Sequence, residues 1–291
     1  MPRLVTTTLV TGSNQPHSKD TVIDFKKTRQ YTLSIRLSTD GFCFAVHNPQ
    51  AANEFAFLPY RIDPLKPLTA NLKAAIQEVD MLKHTYGAIN ILLADTDYTL
   101  IPKEYYAEQY ENEFYQHNFA STTSHSIVMH NRVGDGQAMA LFAVEKQLHK
   151  YITTQYPKAT IHAAISPLIN FGVERSYATG KKYCLLHLRK RSIDFMCYEN
   201  AAPLFVNTFH YRNTSDALYY LLGCWTTLGL SQTDDTLHIA GQVRQGKALM
   251  HELEKFIQHI HVIRPAEEFH STELARTDEL PFDLQTLIAC E

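Results

Sequence analysis

Leu33-Ser34-Ile35-Arg36-Leu37-Ser38-Thr39-Asp40-Gly41-Phe42-Cys43-Phe44-Ala45-Val46 alternates apolar and polar residues up to an Asp-Gly pair and resumes beyond it. Leu33, Ile35 and Leu37 share one face of an extended chain, and Thr32, Ser34 and Arg36 share the other, which is the period of a β-strand. Asp40-Gly41 supplies a hairpin turn, because glycine tolerates positive φ. Phe42, Phe44 and Val46 carry the second strand until Asn48-Pro49 breaks it, and Phe55 and Phe57 mark a third. Leu68, Leu72, Ala75, Ile76, Val79 and Leu82 then recur at helical spacing, and Gly87 stops that helix. Ala88 to Ala94 is almost continuously apolar, as a strand buried on both faces must be. The order is βββαβ.

The pattern restarts at Lys181. Cys184, Leu186 and Leu188 alternate, Arg189-Lys190-Arg191 occupies the turn, and Ile193, Phe195 and Cys197 alternate again. Leu204 to Phe209 is the third strand. A helix follows, with Ser215 as its cap and Leu218, Leu221, Leu222, Trp225 and Leu228 as its stripe. Leu237 to Ala240 is a central strand; Leu249, Leu253, Phe256, Ile257 and Ile260 face the core from another helix; His261 to Ile263 is a final strand. This second copy reads βββαβαβ.

Between the copies, Pro102 to His117 is acidic and aromatic and reads as a helix, Ser126 to Val133 as a strand, and Gly134-Asp135-Gly136 as a turn. Residues 95–136 are an expected insertion. Leu141, Val144, Leu148, Tyr151 and Ile152 give a second helical stripe, Thr160 to Ile165 a short strand, and Ser166-Pro167 opens a helix that runs to Gly180. Residues 1–180 are the first expected unit, with a polar arm that carries a short strand at Thr21 to Phe25. Residues 181–291 are the second, with a mixed tail from Pro265 to Glu291.

Composition narrows the function classes. With 45% hydrophobic and 20% charged residues and a net charge of -3, the chain has a sizeable core and no global basic field for nucleic acid. Its five cysteines are scattered, without a C-x-x-C pair; core thiols in a reducing cytoplasm are expected rather than a disulfide framework. No secretion signal and no run of apolar residues long enough to span a bilayer is present in the sequence. The fifteen histidines lack the H-x-x-x-H or H-E-x-x-H spacing of a zinc site, and there is no G-x-S-x-G nucleophile elbow.

Two βββαβαβ units in tandem, the first interrupted, resemble the ribonuclease-H-like module doubled in the actin-like ATPases. The stretches Leu33 to Phe42 and Tyr98-Thr99-Leu100-Ile101-Pro102 are similar to a bacterial family of unknown function, typical of the Bacteroidetes, with an actin-like ATPase fold. That resemblance implies an α/β protein with a cleft between two units. In such ATPases the first hairpin turn of each unit cradles phosphate with backbone N–H groups, and a carboxylate organises the metal.

Here the first turn retains Asp40 and Gly41, with the Asp at the hairpin tip. The second, Arg189-Lys190-Arg191-Ser192, has neither glycine nor carboxylate, and its basic residues read as a solvated tip. The loop after the later strand keeps one glycine, Gly241. Gly241-Gln242-Val243-Arg244-Gln245-Gly246-Lys247-Ala248 comes close to a P-loop. However, Ala248 stands where a Mg²⁺-binding hydroxyl belongs, and the carboxylate-ended strand Ile89 to Asp95 lies upstream. Asp40, Gly41, Arg189, Lys190, Arg191, Gly241, Arg244 and Lys247 are therefore the candidate nucleotide contacts of an eroded site. Tyr105, Tyr106, Tyr110 and Phe114, among Glu104, Glu108, Glu111 and Glu113, are a candidate surface for a protein partner. The expectation is a non-catalytic scaffold or adaptor with no cofactor. ATP binding in the cleft, or RNA binding through the basic turns, are the alternatives.

Overall fold

The structure is a computed structural model describing residues 23–119, 125–244, 246–269, 277 and 279–289. Most of the N-terminal arm, and Cys290 near the other end, lie outside them. The part of the expected strand at Thr21 to Phe25 that is described turns instead, with Lys27 N donating to Asp24 O at 2.8 Å.

The opening alternation becomes β1 (Thr32–Leu37) and β2 (Phe42–Asn48), followed by β3 (Ala51–Tyr60), α1 (Leu68–Glu78) and β4 (Ala88–Leu93). β1 runs antiparallel to β2 and parallel to β4, with Ile35 opposite both Phe44 and Ile91. Asn71 on α1 ties down the loop before it, accepting from Asp63 N and donating to Asp63 O, both at 2.9 Å. After the interruption come α3 (Lys146–Gln155), β8 (Thr160–Ala163) and α4 (Ile165–Thr179), and the sheet closes in the order β3-β2-β1-β4-β8.

The second half repeats this with β9 (Tyr183–Leu188), β10 (Ser192–Glu199), β11 (Ala202–His210), α5 (Thr214–Thr227), β12 (Thr236–Gly241), α6 (Lys247–Leu253) and β13 (His259–Val262). Its sheet order, β11-β10-β9-β12-β13, matches the first position for position. These are two ribonuclease-H-like units. Asn213, rather than Ser215, caps α5, its side chain accepting from Asp216 N at 3.0 Å. α6 is also shorter than its apolar spacing implies, so Ile260 belongs to β13.

Two corrections concern the interruption. Leu141 and Val144 lie in a strand, β7 (Ala138–Glu145), which pairs with β5 (Tyr98–Pro102) and β6 (Ser126–Val133) in a third sheet, β5-β7-β6. β7 is buried along nearly its whole length, so its continuous apolar run imitates a helical stripe. Within 102–117, only Glu111 onward is α-helix (α2, Glu111–Asn118), because the residues after Pro102 form two 3-10 turns.

The largest correction is at the C-terminus, where α8 (Phe282–Ala289, after the short α7, Pro265–Glu268) is a buried helix rather than a tail. Phe282, Leu284, Leu287 and Ile288 pack in the core that spans both units. α8 lies against α4 and touches β1 and β12, and Phe282 meets Phe171 of α4 edge-on at 5.4 Å.

β9 and β10 are buried on both faces. Cys184, Leu186, Ile193 and Phe195 join a core of the second unit alone, whereas Tyr183, Leu185, Met196 and Tyr198 join the core shared with the first. The shared side also holds two polar residues, His187 and Asp194.

Candidate functional site

The cleft is built where the two first hairpins meet. Ala94 N donates to Leu37 O at 2.9 Å, which sets Asp95 beside the turn after β1. Asp95 Oδ2 there accepts from Thr39 N at 2.6 Å, Thr39 Oγ1 at 2.8 Å and Ser38 Oγ at 2.9 Å. The donors of the first turn are thus directed at a carboxylate of the chain itself.

Arg189 enters from the other unit. Its Nη1 donates to Ala94 O at 2.6 Å and lies 3.4 Å from Asp95 Oδ1, and its Nη2 donates to Asp194 Oδ1 at 2.9 Å. Asp194 also accepts from Thr208 Oγ1 at 2.7 Å and bonds His187 Nδ1 at 2.8 Å. Thr208 Oγ1 lies 3.2 Å from the hydroxyl of Tyr98 in the first unit. At the rim, Lys190 Nζ stands 3.6 Å from Asp40 Oδ1 with both side chains half exposed, a pairing of small energetic weight. Beneath these groups, Arg36 of β1 holds Asp283 of α8 through Nε and Nη2, each at 2.8 Å from its oxygen. The remaining void, lined by Tyr98, Arg189, Asp194 and Asp283 among others, is about 10 Å³, room for about one water.

Of the sequence-derived candidates, the structure brings Asp40, Arg189 and Lys190 together across the cleft. Arg189 is no solvated tip: only 17% of its side chain is exposed. Arg191 is exposed and makes no ion pair among the described residues. Gly41 closes the first turn, its N–H donating to Ser38 O at 3.2 Å. Gly241 has φ +88°, and a Cβ there would fall 2.4 Å from Leu188 O; a glycine at this place is accounted for by close approach to β9. Arg244 and Lys247 are at the surface, and Lys247 begins an α6 of only seven residues. The aromatic candidates divide. Tyr105 and Tyr110 are 70% and 49% exposed. Tyr106 bonds Glu111, which also holds His130 Nδ1 at 2.6 Å, and Phe114 packs on the small core around Tyr115, Met139 and Leu141.

Arg36, His187, Asp194 and Asp283 were not among the candidates. The available signal was a charge in the interior of a strand, Arg36 in β1 and Asp194 in β10. Their counterions come from elsewhere in the chain and leave no local pattern.

Burial works against the charge on Asp194 and would raise its pKa, but Arg189 and the bond to His187 outweigh it and hold the carboxyl well below the usual range. Asp283 is likewise held down by Arg36 against its burial. A carboxyl with a depressed folded pKa stabilises the fold above its unfolded value, about 3.9, and that stabilisation is lost as pH falls through the folded value. Urea-unfolding midpoints should therefore hold steady well above pH 4 and fall below it. Asp194→Asn should flatten that fall; an unchanged acid limb would show that Asp194 does not contribute.

The tandem units, their matched sheets and the cleft between them define a protein of the actin-like ATPase fold. The chain belongs to the family described as Protein of unknown function (DUF3822), whose model matches residues 19–260. It is similar to a Bacteroides thetaiotaomicron VPI-5482 protein "with actin-like ATPase fold and unknown function", at 34% identity and a TM-score of 0.81 over 93% of this chain and 100% of that one. A structure of the PilM-PilN type IV pilus biogenesis complex is similar in fold, at 10% identity and a TM-score of 0.55 over 89% and 97% of the two chains. No curated protein shows significant similarity. Among the described residues, no helix is long and apolar enough to cross a membrane.

Proposed function

We propose that this chain is a non-catalytic actin-like scaffold or adaptor that acts by binding another protein. The observation that carries the reading is Arg189, whose guanidinium lies between the hairpins and is bonded to Asp95, Asp194 and Ala94 O. A nucleotide phosphate at this place would compete with Asp95 for the first turn's donors and meet three carboxylates, Asp95, Asp194 and Asp283. The PilM-PilN structure is an instance of a related fold in complex with another protein. Tyr105 and Tyr110 are the side chains proposed to face the partner, since Tyr106 and Phe114 are engaged within the chain.

Isothermal titration with Mg-ATP and with ADP tests the cleft. No saturable binding is expected up to millimolar nucleotide. Micromolar binding that Lys190→Glu or Gly241→Asp abolishes would overturn the proposal in favour of a nucleotide-binding protein.

A further inference from the structure

Cys184 and Cys197 lie directly opposite each other on the antiparallel strands β9 and β10. Both are fully buried, and Cys184 Sγ donates to Cys197 Sγ at 3.3 Å. Both are free thiols, and among the described cysteines no other two share a hydrogen bond. We propose that this pair is an oxidation site that closes to a disulfide under peroxide and reopens with a dithiol.

The distances suit it. A bonded pair sits at about 2.05 Å, so roughly 1 Å of approach converts the 3.3 Å contact into a bond. The hydrogen bond from Cys184 favours the thiolate of Cys197 and lowers its pKa, while the same bond, with burial, raises that of Cys184. As the acceptor of that bond, Cys197 is the thiol proposed to react first.

Access comes from the place in the sheet. Tyr183 is the first residue of β9, and the ladder from β10 to β11 slips register between Cys197 and Tyr198. The pair is one residue from the end of its ladder; both sulfurs are fully buried, so the reaction requires that end of the hairpin to open first.

In the first step the Cys197 thiolate attacks peroxide: an S–O bond forms, the O–O bond breaks, and the departing hydroxide takes up a proton as water. In the second, Cys184 sulfur attacks the sulfenic sulfur: the S–S bond forms, the S–O bond breaks, and hydroxide leaves as water with the Cys184 proton. Two thiols and one hydrogen peroxide give one disulfide and two waters. The product would tie the base of the hairpin that presents Arg189 and Asp194 to the cleft.

The test is to treat the full-length native protein with hydrogen peroxide, quench, denature, count free thiols and map peptides without reduction. The count should fall by two from five, with a peptide joining Cys184 to Cys197, and dithiothreitol should restore it. Cys43→Ala should keep the cross-link and Cys197→Ala should lose it. The wild-type peptide map decides the matter even where a variant folds poorly. A map with Cys184 and Cys197 still reduced after peroxide, or with either of the pair joined elsewhere, overturns the proposal.

Discussion

Asp283→Ala is expected to destabilise the protein by about 3–5 kcal/mol, the range for removing one partner of a buried ion pair. The Asp283 side chain is wholly buried and that of Arg36 is 11% exposed, so solvent screens the pair little. Alanine leaves a guanidinium without its carboxylate between β1 and α8. Burial opposes the Arg36 charge, and Asp283 is what outweighs that penalty. The charge, rather than the lost volume, should dominate the cost. Replacing both partners, as Arg36→Met with Asp283→Leu, should therefore recover most of the loss, because no charge is then stranded. Urea-unfolding midpoints of the two single variants and the double variant measure this directly. A double variant no more stable than either single one would show that the site depends on packing instead of charge.

Gly172→Ala should be damaging for the addition of a single methyl group. A Cβ at Gly172 would stand 2.2 Å from Tyr198 Cε2 and 2.3 Å from Cζ. Tyr198 is fully buried where α4 of the first unit crosses β10 of the second, so the ring has no free volume to enter. Overpacking of this kind costs about 1–3 kcal/mol; alanine's better helix propensity returns up to about 1 kcal/mol, leaving a net loss. Gly223, on α5, is the opposite case, with no heavy atom within 4 Å of its added Cβ. There propensity acts alone, and Gly223→Ala should raise the thermal midpoint that Gly172→Ala lowers. A rise in both would mean that α4 and β10 are less tightly packed than the Gly172–Tyr198 contact implies.

What was legible in the sequence follows from the range of the forces involved. Leu33, Ile35 and Leu37, the Asp40-Gly41 turn and the run from Ala88 to Ala94 are local patterns, and they return the βββαβ order correctly, as do their counterparts from Cys184 onward. Local pattern misleads where a strand is buried on both faces: Leu141 and Val144 in β7 read as helix for that reason. The site was half visible. Arg189 and Lys190 could be placed at a turn, but a basic triplet at a turn reads as solvated unless its carboxylates are known, and Asp95 is 94 residues away in the chain. Asp194 is only five residues from Arg189, yet it belongs to the shared face of β10, which the alternation of Ile193, Phe195 and Cys197 conceals. α8 was missed because Phe282 to Ala289 is too short for a clear period, and its burial comes from partners on both units.

The clasp between Arg36 and Asp283 joins positions 247 residues apart. At about 5–20 residues per second, a translating ribosome finishes β1 roughly 10–50 s before it makes the counterion. For that interval the nascent first unit must keep the Arg36 end of β1 wet, because a guanidinium cannot be dried without an anion beside it. Final docking of the halves is thereby timed by synthesis: the earlier unit waits, hydrated along one flank, until a helix from the far end of the message arrives to seal it.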